Sequence, residues 1–372
     1  MAKVIIFHTP VRFGGGERQL VLLGKEFLLN NLDFIVINLA KSEEFEDALK
    51  RNNIQFFTIT NKSLGDSPSK KDYLKLLLIL LPQIFNKKLK NFWYSTQSIW
   101  ARDFPTNFFV YFLIKIYGKK NKKLICSRHF YKNPEEGIFK KIYQNVLNTF
   151  DIIIAVSDYV SNSLKTTFPE IKDKIISIPN GVDISLFEIS KSKSDIRKEL
   201  DLPLEDILGI YLARFTSPKN HLFLIKVLKE VNNFKIILGG DGEMRDKFLE
   251  EVKANRLEDR VIYKGHIENN LVPLYLLASD FCIFPSKGEG FSNAILEAMV
   301  AGLPVVIFEN IYSKEYGPHL LVAKSEDEFI EYVKNVVSDK NLREKLGKLN
   351  KEYVKNNLDI KVIARQLIPV LS

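Results

Sequence analysis

The sequence predicts an α/β protein built as two doubly wound parallel-sheet domains facing a cleft. Three observations lead there. Short apolar runs alternate with helix-length segments along almost all of the 372 residues. Runs of this kind suit parallel strands buried on both faces. They fall into two series, and a chain of this length argues for two domains. The join is marked by Ile178-Pro179-Asn180-Gly181-Val182-Asp183, where a Pro before Asn-Gly signals a turn. The polar stretch Ser190–Ser194 beyond it suits a linker.

In the first series the strands are expected at Lys3–Phe7, Phe34–Asn38, Gln55–Ile59, Asn91–Ser95, Lys123–Cys126, Asp151–Val156 and Lys174–Ser177. In the second they are expected at Ile207–Ala213, Phe234–Leu238, Val261–Tyr263, Phe281–Phe284 and Pro304–Phe308. The last stretch, Ile360–Leu371, is apolar at helical spacing and should pack on another element. The chain divides at 1–183, 184–355 and 356–372.

Composition narrows the function classes. Cys126 and Cys282 both fall in apolar runs, which reads as buried free thiols in a reducing compartment, with no disulfide or zinc framework. The first apolar run is too short for a signal peptide. Leu74–Phe85 and Phe108–Lys115 fall short of the roughly 18 to 20 residues of a spanning helix. A cytoplasmic protein is expected.

The net charge of +9 is uneven, and residues 62–141 hold 17 basic and 5 acidic residues. The same stretch holds Trp93, Tyr94, Trp100, Phe108, Phe109 and Tyr117. Basic residues beside exposed aromatics suit an anionic membrane surface. Nucleic acid ranks lower, because lysine outnumbers arginine and base readout favours arginine. The plain alternative is a solvated basic face over a buried aromatic helix.

Ligands of parallel sheets bind at the carboxyl ends of the strands, so the loops there carry the chemistry. After the first strand, Gly14-Gly15-Gly16 opens a helix from Glu17 to Leu29. Glycines let a backbone approach an anion, and a plain flexible turn is the alternative. His129 follows the fifth strand, either as a satisfied histidine or as a hydrogen-bond partner of a sugar hydroxyl. Arg214 and Lys219 follow the first strand of the second series. They could clamp a diphosphate or be two solvated cations. Gly239-Gly240-Asp241-Gly242-Glu243 reads as a structural turn. Gly265-His266-Ile267 could border a base.

The most informative segment runs from Glu289 through Gly290, Phe291, Ser292 and Asn293 to Glu297. It follows an apolar strand and enters an apolar helix, so Glu289 sits on a strand-end loop and Glu297 about a turn and a half into the helix. Ser292 and Asn293 are good N-cap residues, and a helix start attracts anions. A Glu on an otherwise buried helix face needs a partner. Two carboxylates around an anion site suit a ligand with both phosphates and hydroxyls, such as a sugar nucleotide.

Taken in order, Gly-Gly-x-Glu, the mid-domain His, Pro-Asn-Gly-Val-Asp, Arg-x4-Lys, Gly-Asp-Gly, Gly-His-Ile and Glu-x7-Glu resemble the retaining GT-B glycosyltransferases of the large family 4 type. That family includes bacterial enzymes of cell-surface polysaccharides and lipids. The resemblance covers nearly the whole chain and implies two Rossmann-like domains, with the acceptor on the first and the nucleotide sugar on the second. It implies a terminal helix crossing back to the first domain. Arg214 and Lys219 would bind the donor diphosphate, and Glu297 the ribose hydroxyls. Glu289 would contact the transferred sugar, near the N–H groups of Gly290, Phe291 and Ser292. His266 and Ile267 would border the base, Gly15 and Gly16 the phosphates, and His129 the donor sugar.

The implied substrate is a UDP- or GDP-sugar, with no cofactor and no metal site. The acceptor would be a lipid-linked saccharide or a lipopolysaccharide or capsule precursor, reached at the inner face of the cytoplasmic membrane. Nucleic acid is not an implied partner. Ala213 and Asn220 stand where the family often has Gly, and the loop from Glu309 to Glu315 is atypical. A sugar-nucleotide epimerase on the same two-domain plan is the rival reading.

Overall fold

The structure is a computed structural model that describes residues 3–11, 13–65, 69–129 and 137–372. Among these the chain splits into two compact units. One runs to Asn180 and takes in Ile360–Ser372; the other is Gly181–Asp359.

The first unit holds a parallel sheet of β1 (Val4–His8), β2 (Phe34–Asn38), β3 (Phe56–Thr58), β4 (Ser98–Ala101), β5 (Lys123–Arg128), β6 (Ile152–Ala155) and β7 (Ile175–Ser177). The order across the sheet is β3-β2-β1-β4-β5-β6-β7. The central strands are buried along their whole length, as Val- and Ile-rich runs covered on both faces should be. The chain leaves β1 toward one edge and returns through β4 toward the other. The topological switch point therefore lies between β1 and β4.

The second unit repeats the plan. Its strands are β8 (Leu208–Leu212), β9 (Lys235–Gly239), β10 (Val261–Tyr263), β11 (Phe281–Phe284), β12 (Val305–Phe308) and β13 (Leu321–Ala323). The order is β10-β9-β8-β11-β12-β13, all parallel, with the switch point between β8 and β11. Where the chain enters and leaves this unit, Val182 bridges to Asp359 and the Val182 N–H donates to Leu358 O at 2.9 Å.

Several expectations need correction. Asn91–Ser95 is not a strand but the end of the helix Lys87–Ser95, whose N-cap Asn86 accepts from the N–H groups of Lys88 and Leu89. The fourth strand comes just after it, at Ser98–Ala101. β13 is an addition, a three-residue edge strand. Ser190–Ser194 is not all linker, since Ser192 caps the helix Lys193–Glu199. The first helix starts at Gly15, two residues before Glu17.

The aromatic stretch is mostly interior. Trp93, Trp100, Phe108 and Phe109 are buried, and Trp100 Nε1 donates to Ser127 Oγ at 2.6 Å. Apolar groups that face solvent include those of the helix Lys70–Gln83 and its exit, where Leu74 is 60% exposed, Leu78 58% and Phe85 73%, and Ile138 on the helix Gly137–Asn148. Residues 66–68 and 130–136 of the basic stretch lie outside the described residues. Among the described residues no helix is long and apolar enough to cross a membrane. Cys126 and Cys282 are buried free thiols, as their apolar runs imply.

The helix Ile360–Leu371 buries Ile360, Ile363, Ala364, Leu367 and Leu371. It packs on β4 and on the helix Gly15–Leu29 within the first unit.

Candidate active site

In the second unit the loops after β8 and β11 meet at the switch point. The Ser217–Lys219 turn ends on Asn220 in the left-handed region, φ 54°. Asn220 Nδ2 donates to Pro285 O at 3.2 Å, and the Lys287 N–H donates to Pro218 O at 2.7 Å. Ser286 Oγ donates to Glu289 Oε1 at 2.8 Å. These bonds bring two sequence-assigned residues together: Lys219 Nζ is ion-paired with Glu289 Oε1. The pair is half-buried, with side-chain exposures of 22% and 15%, so it keeps an open side. From below, Tyr211 OH donates to the Lys219 carbonyl at 2.8 Å.

Arg214 stands on the same loop, exposed and with no side-chain partner among the described residues. Its backbone is fixed by the turn after β9. Phe215 N–H donates to Asp241 O at 2.9 Å, and Met244 N–H to Phe215 O at 2.9 Å. Gly240 and Gly242 have positive φ, 130° and 154°. A Cβ on Gly240 would stand 2.1 Å from Ala213 O, and one on Gly242 2.5 Å from Phe215 O. The structural role read for this turn holds, and its target is the Arg214 loop.

The helix after the β11 loop is Asn293–Val300, with Ser292 as N-cap. The Ser292 side chain makes no capping bond. Its N–H donates to Tyr316 OH at 2.6 Å, and the Tyr316 ring stacks on Phe291 with centroids 4.3 Å apart. Tyr316 is wholly buried, and burial pushes its phenol pKa up. The atypical loop after β12 is thus built into the helix start, and one N–H expected for the donor already has a partner. Within that loop Ser313 Oγ donates to Glu315. Glu297 is half-buried between Leu296 and Ala298, as its place on an apolar helix requires. Gly290 and Asn293 lie beside the same helix start. His266 is exposed and Ile267 half-buried on the loop after β10, at the sheet edge, with Gly265 at φ 64°.

In the first unit Gly15 and Gly16 form the first residues of the helix that follows β1, with Gly14 as N-cap. His129 follows β5 directly and is half-buried. Burial and the nearby Arg102 push its pKa down to about 3, so the ring is neutral near pH 7. It lines a small cavity with Trp100, Arg102, Ser127, Asn180 and Leu367.

Four residues that the sequence reading left without a role gather at this switch point: His8, Glu17, Arg102 and Asp103. His8 Nε2 lies 3.3 Å from Glu17 Oε1, and Nδ1 lies 3.3 Å from Asp103 Oδ2. The second approach is poorly aligned for a hydrogen bond, so it is an electrostatic contact. No spacing in the sequence announces this cluster, because Thr9 and Asp103 are 94 residues apart. Tyr316 was likewise not legible as a cap.

Two parallel α/β units, each with its loops converging on a switch point, make up the GT-B fold. A solved Anabaena protein, Alr3699/HepE in complex with UDP, shares the fold with a TM-score of 0.82, at 20% identity over 99% of both chains. The family model for Glycosyltransferase Family 4 matches residues 13–186, and that for Glycosyl transferases group 1 matches residues 192–353. The chain belongs to this family of glycosyltransferases, and the bacterial cell-surface resemblance read from the sequence stands.

Among curated relatives, the N-acetylgalactosamine-N,N'-diacetylbacillosaminyl-diphospho-undecaprenol 4-alpha-N-acetylgalactosaminyltransferase of Campylobacter jejuni is 22% identical over 92% of each chain. The UDP-Gal:alpha-D-GlcNAc-diphosphoundecaprenol alpha-1,3-galactosyltransferase of Escherichia coli is 32% identical over 45% of this chain and 46% of its own length.

Proposed function

We propose that this glycosyltransferase moves a hexosyl or N-acetylhexosaminyl group from a UDP- or GDP-sugar to a lipid-linked saccharide, or to a lipopolysaccharide or capsule precursor, with retention of anomeric configuration. The observation that carries the reading is the half-open Lys219–Glu289 pair at the second switch point, beside the exposed Arg214.

The hard event is departure of the diphosphate while positive charge develops on the sugar. Arg214 and Lys219 stabilise the departing charge, and groups preorganised in this way contribute about 3 kcal/mol each. On this reading the departing charge is met by side chains and backbone rather than by a metal. Glu289 faces the transferred sugar and holds Lys219 in place. Glu297 takes the ribose hydroxyls, and His266 and Ile267 border the base. Gly290, Phe291, Ser292 and Asn293 supply backbone near the phosphates, with the Ser292 N–H reached only if Tyr316 yields it. From the first unit, Gly15 and Gly16 approach the phosphates. His129, neutral, hydrogen-bonds a hydroxyl of the donor sugar. The leaving phosphate takes the acceptor proton on the face it departs from, which is what retains configuration.

The lipid-linked acceptor is supported by the diphospho-undecaprenol substrates in the names of both relatives. A nucleotide with uracil is supported by the Anabaena complex. Contact with an anionic membrane at the inner face rests on the exposed Leu74, Leu78 and Phe85, with exposed Lys71, Lys75, Lys87 and Lys88 around them.

A thermal-shift screen of nucleoside diphosphates and their sugars identifies the donor. Transfer to a lipid-diphosphate saccharide, followed by NMR of the new linkage, then tests the rest. Inversion at the anomeric carbon, or epimerised donor with no transfer, would sink the proposal.

A further inference from the structure

The buried cluster at the first switch point has no part in the mechanism above. Its hydrogen bonds show what it holds. Glu17 accepts from His8 and from the N–H groups of Val11, at 3.3 Å, and Gly14, at 3.1 Å. Asp103 accepts from the Thr9 N–H at 2.7 Å, from Thr9 Oγ1 at 2.8 Å and from the Thr106 N–H at 3.0 Å. Arg102 Nη1 donates to Gly16 O at 3.3 Å. The chain from Thr9 to Gly16 is therefore tied at four residues by three ionisable side chains, and His8 joins the two carboxylates.

A helix cap alone does not call for this. Asp103 caps the helix Phe104–Tyr117 through Thr106, and any Ser or Asn could do that. Burying ions costs each of them its hydration, and apolar packing is often the more stable choice. What the ions secure is a backbone course. Gly16 itself is not required by packing, since a Cβ there would meet nothing within 4 Å. At Gly16 there is room on the Cβ side, while its carbonyl is held by Arg102.

We infer that Glu17 and Asp103, acting through His8 and Arg102, are positioning residues that fix the Gly14–Gly16 backbone for its contact with the donor phosphates. This rests on the role proposed above for Gly15 and Gly16. His8 must be an imidazolium to serve. With both ring nitrogens beside carboxylate oxygens, a neutral ring would turn a lone pair on one of them. Burial pulls the His8 pKa down, but Asp103 and Glu17 outweigh it and the net direction is up. Among the described residues, the charged or titratable groups facing the cluster are Glu17, Asp103, Arg102, His129 and Tyr73.

The test uses Glu17→Gln and Asp103→Asn, which keep shape and remove charge. Hydrogen exchange of the amides of residues 9–16 should quicken in both, while those of residues 20–29 hold. Donor turnover should fall roughly 10- to 100-fold in kcat with little change in donor KM, the signature of a misplaced rather than missing contact. In the wild type, kcat should decline as pH rises through the His8 value, a limb that His8→Gln lacks. This profile needs no carboxylate variant to fold.

Unchanged exchange at residues 9–16, or quickened exchange with wild-type kcat, overturns the inference. So does a wild-type profile without the alkaline limb. Lys219→Ala, assayed alongside, separates the two claims. Full turnover in it removes the donor-site reading and this inference together. Its loss beside wild-type turnover in Glu17→Gln removes the inference alone.

Discussion

The two switch points share one topology and use their charges differently. At β1/β4, Glu17, Arg102 and Asp103 bond to backbone groups between Thr9 and Gly16, and the two carboxylates flank His8, so little charge faces outward. At β8/β11, Lys219 and Glu289 keep an open side and Arg214 stands in solvent. The position of a loop at a strand end does not by itself make a binding site. What decides is whether the charges there are already satisfied by their own unit. The first point is organised to hold a backbone, the second to present cations.

Breaking the second point should have the largest effect. Lys219→Ala is expected to lower kcat about 100- to 1,000-fold, the size found when one preorganised donor is lost. Its melting temperature should stay near wild type, because a half-buried pair contributes modestly to stability.

Glycines sharpen the contrast next. Gly242→Ala must move Phe215 O and adopt an unfavourable φ, which should cost about 2 to 4 kcal/mol of stability. Gly16→Ala meets open space in a helix and should leave stability unchanged or raised by about 0.5 kcal/mol, while donor turnover falls. Thermal melts read alongside kinetics check both. An unstable Gly16→Ala would show that the first unit packs on that turn.

Tyr316→Phe keeps the stack on Phe291 and removes the partner of the Ser292 N–H. A loss of about 1 to 2 kcal/mol is expected, measured by urea unfolding. No loss would mean that the N–H finds another acceptor at once.

The histidines divide by pH. His129 and His221 are pushed down to about 3, both chiefly by burial. The folded chain refuses protons that the unfolded chain takes up, so their contribution is present above pH 6.5 and lost as pH falls below it. His8 is raised, so its contribution is present below pH 6.5 and lost as pH rises through the folded value. Glu17 and Asp103 are lowered against burial by His8, so theirs is lost only as pH falls through their depressed values. The melting-temperature gap between wild type and His8→Gln should therefore narrow above pH 6.5. His221→Phe should melt above wild type in acid, since both ring nitrogens of His221 are buried without partners. The smallest effect on the folded chain belongs to Leu74→Ser with Phe85→Ser, which should abolish sedimentation with anionic vesicles and leave the melt unchanged.

Much of this was legible in the sequence. Apolar runs gave twelve strand expectations, of which only Asn91–Ser95 fell on a helix. Its aromatic run resembles a strand, and the cap at Asn86 was the overlooked signal. β13 is too short and too exposed to stand out. That Lys219 and Glu289 serve one site was read from strand-end loops; that they form an ion pair was not, since the sequence assigned one to the diphosphate and the other to the sugar. The first cluster was not legible, because its contacts join distant segments, and Glu17, though the Glu of Gly-Gly-x-Glu, carries no sign in the sequence of its partners. Nor was the burial of Trp93 and Phe109, since an aromatic beside lysines reads alike in solvent and in a core.

The most direct test is calorimetric titration with whichever of UDP and GDP stabilises the chain in a thermal-shift screen. Arg214→Ala combined with Lys219→Ala is expected to bind it at least about 100-fold more weakly than wild type, as the loss of two charge-assisted contacts requires. Equal affinity in the double variant would contradict the placement of the donor diphosphate at the second switch point.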